Sequence, residues 1–224
     1  MTAVLGIRCN DGVVLAADRK IIRGGETDYR TKIFEVGGML LAFEGITDIY
    51  DDFLPSLDSA IDRIRGFTNI YETKLFLEDI IGDLNKRYRE RLGPEGSIGT
   101  LLAGLSRISA GNAVLYYVHP QGYAEPVNYR CSGHGADYAH SIARFLFNSA
   151  SSCQNNAFMA AFFIAWVSED VDMTVGGEPQ VAIVKDETGV EYPSNDLVIQ
   201  ASQRAKQLKS RFADALGLDR YFTD

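Results

Sequence analysis

The chain has 224 residues, 46% of them hydrophobic and 23% charged, a globular composition that excludes disorder for its bulk. Its 30 acidic and 22 basic residues leave a net charge of −8, which speaks against nucleic acid or an anionic membrane as partner, since both call for a cationic face. Cys9, Cys131 and Cys153 are too few and too scattered for a disulfide framework or a zinc site, and they read as reduced, buried thiols of a cytoplasmic protein.

Strands come first. Residues 3–7 and 13–17 are apolar and β-leaning, and Asn10-Asp11-Gly12 between them signals a tight hairpin turn. Residues 32–36 and 39–43 make a second pair about Gly37-Gly38, so the opening of the chain predicts an antiparallel sheet. Then the period changes. Residues 49–64 carry Ile49, Phe53, Leu57, Ala60, Ile61 and Ile64 at helical spacing. Residues 75–92 place Leu77, Ile80, Ile81, Leu84 and Tyr88 on one stripe, with Asp79, Asp83, Lys86 and Arg87 opposite, and Gly93-Pro94 ends that helix.

Strands return at 98–105, 113–118 and 123–132, with turns at Ala110-Gly111-Asn112 and Pro120-Gln121-Gly122. Two helices follow: 137–147 is amphipathic, and 156–167 is apolar nearly all round and so buried on several sides. A strand at 180–184 and a helix at about 197–216 complete the chain. Helices in pairs between groups of antiparallel strands predict an α+β protein, not a parallel doubly wound one. Two antiparallel sheets stacked face to face, with helices outside each, would bury every apolar stripe in a four-layer αββα sandwich. No low-complexity linker and no repeat divides the chain, so residues 1–224 read as a single domain. No apolar run reaches the about 18 residues of a membrane span, and the start has no basic stretch leading into an apolar one, so no signal peptide is expected.

Several familiar motifs fail. Gly133-His134-Gly135 opens a dinucleotide fingerprint, but Tyr138 stands where its third glycine belongs. No phosphate-cradling Gly-rich loop ending in Gly-Lys-Ser/Thr exists, and His119, His134 and His140 lack metalloprotease spacing and read as surface or capping residues. No metal and no cofactor is expected. Asp170-Val171-Asp172-Met173-Thr174 matches the Asp-x-Asp-x-Thr pattern of haloacid-dehalogenase phosphatases, but it follows a helix-like stretch and too little chain remains for that fold.

The informative signal is at the N-terminus. Methionine removal is efficient when the next residue is small, so Thr2 is expected to become the first residue, carrying both a hydroxyl and a free α-amine. That amine has an ordinary pKa near about 8, so it can take the hydroxyl proton at neutral pH with no histidine.

Residues 2–20, TAVLGIRCNDGVVLAADRK, resemble the opening of a proteasome β-type subunit, whose mature chain begins T-x-x-x-G-I and continues to D-G-V-V-x-A-x-D-x-R. Further stretches resemble that family in the same order. Lys32-Ile33-Phe34 is similar to its K-I-F segment, and Ala42-Phe43-Glu44-Gly45-Ile46-Thr47-Asp48 to its A-G-x-x-x-D. Leu101-Leu102-Ala103-Gly104 is similar to its L-I-A-G strand, Cys131-Ser132-Gly133 to its G-S-G turn, and Asp172-Met173-Thr174-Val175-Gly176-Gly177 to its D-x-x-S-G-G. Val175 stands in place of that last serine, with Thr174 just before it, and Glu44 precedes the glycine where the family prefers a small residue. The segment between Asp18 and Lys32 is about two residues short. No propeptide is expected before Thr2.

The resemblance implies the N-terminal nucleophile (Ntn) hydrolase fold and a threonine-type endopeptidase acting through an acyl-enzyme on Thr2. It implies Asp18 and Lys32 as charged neighbours of the nucleophile, Gly45 as the oxyanion-binding N–H, and Ser132 and Asp172 as groups orienting the Thr2 amine. It implies a substrate pocket of Ile21, Arg30, Phe43 and Thr47. The implied partners are a peptide or unfolded protein as substrate, like subunits in a closed ring contacting through 49–64 and 75–92, and an ATPase as candidate regulator. Two alternatives stay open: a non-catalytic ring subunit that kept the fold, and a transpeptidase in which an amine rather than water resolves the acyl-enzyme.

Overall fold

The first hairpin forms where the turn residues place it. Strands β1 (Ala3–Cys9) and β2 (Gly12–Ala17) pair antiparallel from Val4 opposite Ala17 to Cys9 opposite Gly12. Both are buried on both faces almost throughout, which is why they read as apolar runs rather than as alternation. The computed structural model describes residues 2–23, 25–45, 53, 55, 67, 69–93, 97–106, 111–133, 147–168 and 173–216, with residues 23, 209, 210 and 212–216 through their backbone only.

The remaining strands are β3 (Lys20–Arg23), β4 (Glu26–Tyr29), β5 (Ile33–Val36), β6 (Met39–Gly45), β7 (Ile98–Leu105), β8 (Ala113–Val118), β9 (Ala124–Pro126), β10 (Tyr129–Gly133), β11 (Gln180–Lys185) and β12 (Gly189–Glu191). One sheet runs β10-β1-β2-β11-β12, the other β5-β6-β7-β8-β9, and β3-β4 stand as a separate hairpin. Every pairing is antiparallel.

Two strand expectations change. The first two predicted hairpins do not share a sheet: residues 18–32, with the β3–β4 hairpin, lead from one sheet to the other. The strand predicted over 123–132 is two strands in different sheets. Pro126 brings no N–H to a ladder. Just beyond it the Val127 N–H donates to Leu115 O in one sheet, while Asn128 O accepts from Arg8 N in the other. The β3–β4 hairpin and β12 were not anticipated; β4 reads Glu-Thr-Asp-Tyr, is exposed throughout, and carries no apolar pattern to find.

The described helices are α1 (Ile70–Leu92), α2 (Cys153–Trp166) and α3 (Asn195–Leu216). Helix α1 starts five residues before the predicted 75, because Asn69 caps it: Asn69 Oδ1 accepts from Tyr71 N at 2.8 Å and Glu72 N at 3.2 Å. Ser152 caps α2 in the same way. The helices predicted at 49–64 and 137–147 lie outside the described residues but for Phe53, Pro55 and Phe147.

The two-residue period of the strands divides the core into three. On β1, Ala3, Leu5 and Ile7 face α2 and α3, packing with Ala157, Ala160, Phe163 and Ala201. On the second sheet, Leu41, Phe43 and Leu102 face α1, meeting its stripe of Leu77, Ile81, Leu84 and Tyr88. Between the sheets lie Val4, Leu15, Leu40, Ala42, Leu101 and Ala103. The result is the four-layer α+β sandwich the sequence predicts.

Candidate active site

Asp18 follows β2 and is fully buried. Its Oδ1 accepts from Ala3 N at 2.9 Å and from Lys32 Nζ at 2.6 Å. Its Oδ2 accepts from Lys20 N at 3.0 Å and Gly176 N at 3.1 Å. Both oxygens thus meet two donors each, three backbone and one charged.

Lys32, just ahead of β5, is also buried. Its ammonium bonds Asp18 and, at 2.7 Å, Lys20 O, while its backbone N–H donates to Gln180 Oε1 at 2.6 Å. Burial drives the Lys32 pKa below the ordinary lysine value, and the Asp18 charge and hydrogen bond recover part of that shift. An isolated buried ammonium would be very costly, so Asp18 is what permits a charged amine here.

Thr2 is buried and lies one residue from Ala3, whose N–H rests on the same Asp18 oxygen that holds Lys32. The strand register brings β10 beside it. Ala3 lies opposite Gly133 and Val4 opposite Ser132. Gly133 has φ 95°, and a Cβ there would sit 1.9 Å from Thr2 O, so only glycine lets β10 run this close to the N-terminus. By the strand period Thr2 shares the face of Val4, the face toward the other sheet, and Ser132 shares it too as Val4's direct partner. Ser132 Oγ donates to Glu44 Oε1 at 2.5 Å and lies 3.4 Å from the Tyr117 hydroxyl.

Gly45 ends β6 at φ 134°, and a Cβ there would meet Ser97 O at 2.4 Å, so this position too is closed to other residues. Among the expected pocket residues, Phe43 is buried against Phe34 and Phe53, with ring centres 5.8 and 4.5 Å away. Its N–H donates to Lys32 O at 3.2 Å. Ile21 is buried on β3, opposite Asp28 of β4. Arg30 is exposed at the base of that hairpin, where its N–H donates to Arg19 O at 2.8 Å and its Nε bonds Asp28 Oδ2 at 2.9 Å, holding that carboxyl below its usual range. Thr47 and Asp172 lie outside the described residues.

The structure therefore gathers Asp18 and Lys32 beside Thr2, with Gly133 against it and Ser132 on its face. Sequence reasoning missed Gln180, Glu44, Tyr117 and the backbones of Lys20 and Gly176. Gly176 was within reach, since it sits inside the matched Asp172–Gly177 stretch. Nothing in the sequence joins residues 44, 117 and 132, which the register alone brings together. Among the described residues, no group of histidine, cysteine and carboxylate side chains is arranged to hold a metal ion.

Two antiparallel sheets stacked between helix layers make the four-layer fold of the Ntn hydrolases. The chain belongs to the proteasome subunit family, whose model matches residues 2–184. Solved structures agree in fold. Anbu, an ancestral beta-subunit, from Yersinia bercovieri superposes with a TM-score of 0.75 at 15% identity, covering 94% of this chain and 96% of that one. A mutant of Anbu from Hyphomicrobium sp. strain MC1 superposes with a TM-score of 0.73 at 14% identity, covering 95% of this chain and 97% of that one. No curated protein matches the sequence.

Proposed function

We propose that this chain is a threonine-type endopeptidase that hydrolyses peptide bonds through an acyl-enzyme on Thr2, exposed by removal of Met1, a residue outside those described. The observation that carries this reading is the shared Asp18 oxygen, which binds both the residue after Thr2 and the buried Lys32 ammonium. The Thr2 amine takes the proton from the Thr2 hydroxyl, and the oxygen attacks the substrate carbonyl carbon. The Lys32 cation favours that deprotonation and disfavours protonation of the amine. The carbonyl oxygen gains the negative charge and is met by the Gly45 N–H. Collapse breaks the C–N bond, and the leaving amine takes the proton from the Thr2 ammonium. Water then attacks the ester with the same amine as base, releasing the acid and restoring the hydroxyl.

In this reading Ser132 and Asp172 orient the amine, and Ile21, Arg30, Phe43 and Thr47 line the substrate pocket. Members of the family assemble into rings of like subunits. For this chain the reading is a single domain over 1–224 in a cytoplasmic ring that admits peptides or unfolded protein, with an ATPase as candidate regulator. No described helix is long and apolar enough to cross a membrane.

Intact-mass spectrometry tests the proposal. The wild-type chain is expected to begin at Thr2 and gain the mass of a β-lactone or epoxyketone probe, and Thr2→Ala is expected to abolish peptide hydrolysis while leaving assembly intact. A mature chain that keeps Met1 and ignores both probes would leave a non-catalytic ring subunit. Product analysis with an added amine acceptor separates hydrolysis from transpeptidation.

A further inference from the structure

Ser132 also belongs to a polar cluster between the sheets, and the mechanism above gives the other two members, Glu44 and Tyr117, no part. Glu44 Oε1 accepts from Ser132 Oγ at 2.5 Å and from the Tyr117 hydroxyl at 2.8 Å. Glu44 lies opposite Gly99 across β6 and β7, and a Cβ at residue 99 would lie 2.7 Å from that oxygen and 2.9 Å from the Tyr117 hydroxyl. The missing side chain is therefore the space the carboxylate occupies. Arg130 stacks on the Tyr117 ring, 4.1 Å from its centre. Burial first, and the Glu44 charge second, push the Tyr117 hydroxyl up to about 12, so it stays a donor through the neutral range. Strands of both sheets contribute to this cluster, and it ends at Ser132 on the Thr2 face.

A hydroxyl has one hydrogen to give and lone pairs with which to accept. The Thr2 amine acts as a base only while its own lone pair is free. A Ser132 hydrogen aimed at the amine would occupy that lone pair. With its hydrogen held by Glu44, Ser132 can meet the amine only as an acceptor of an amine N–H.

We propose that Glu44 is a positioning residue of the threonine peptidase reaction: it holds the Ser132 hydrogen and so keeps the Thr2 amine open to the Thr2 hydroxyl proton. This rests on the reading of Thr2 as nucleophile. A carbonyl oxygen at position 44 does the same work as the carboxylate, and an apolar side chain does not.

The test is the rate at which the assembled protein's Thr2 is acylated by a β-lactone probe, followed by intact mass. Glu44→Met keeps the volume and loses the acceptor, and is expected to slow acylation about tenfold. Glu44→Gln is expected to recover most of that loss. In a Ser132→Ala background, Glu44→Met is expected to add no further loss, since Glu44 acts through Ser132; a merely structural effect would persist there. Equal losses for the two Glu44 variants, additive losses with Ser132→Ala, or wild-type rates in Glu44→Met would each overturn the proposal. A wild-type chain that is never acylated overturns the assignment of Thr2 and this inference together, whereas a reactive wild type with an unaffected Glu44→Met overturns the inference alone.

Discussion

Asp18 has four donors around its two oxygens, the buried Lys32 ammonium among them. Asp18→Asn removes the charge that holds the buried ammonium. Loss of one partner of such a pair costs about 3–5 kcal/mol. We expect this variant to unfold at lower urea and to lose Thr2 acylation, and a denaturant titration beside the probe assay checks both. Tyr117 offers a pH test of known sign. Its hydroxyl is raised from 10.0 to about 12 in the folded chain, so the protonated form is favoured by folding. The stability it contributes is complete below pH 10 and is lost as pH rises toward 12. At 1.36 kcal/mol per unit, the loss is roughly 2–3 kcal/mol. The unfolding free energy of wild type should therefore fall more steeply over that alkaline window than that of Tyr117→Phe. Asp18, Lys32 and Ser132 were legible as residues because they sit in motifs. Glu44 was legible only as a departure, and Tyr117 not at all, because its meaning is a contact across strands.

Among the elements, the helix stripes and the strands 98–105 and 113–118 follow the periods of their apolar residues. Boundaries moved where a polar side chain decides them, as Asn69 does for α1. Asn85 shows how an element is placed and not merely formed. It is buried on α1, where its Oδ1 accepts from Ile98 N at 2.7 Å and its Nδ2 donates to Ile98 O at 2.8 Å and Pro120 O at 2.9 Å. The side chain thus satisfies the first residue of β7 and docks the helix on the second sheet. Asn85→Leu fits the apolar stripe but strands these backbone groups, each at about 1–3 kcal/mol when left unpaired. A drop of that order in unfolding free energy, with the helical circular dichroism of the native state retained, is the expected result. The β3–β4 hairpin escaped the sequence because an exposed strand has no buried face to print a pattern.

For the whole molecule, the proposed ring needs surfaces that bury apolar side chains. Helix α1 leaves Tyr71 and Leu75 exposed off its core stripe, and Leu92 exposed at its end. Exposed large apolar residues of this kind suit a contact between like subunits. Leu75→Glu is therefore expected to dissociate the assembly into smaller species with an unchanged fold, and sedimentation velocity with negative-stain imaging reads that outcome.

From the residues alone came the α+β class and the stacking of two antiparallel sheets between helices. Apolar period, turn residues and motif order are local properties, and a local reading recovers them. The assignment of each hairpin to its sheet, the break after Pro126, the shared oxygen of Asp18, and the meeting of Glu44, Tyr117 and Ser132 needed the folded chain. These join residues many positions apart, and their distances are set by strand register and by the packing of one sheet on the other, which no neighbouring residues encode.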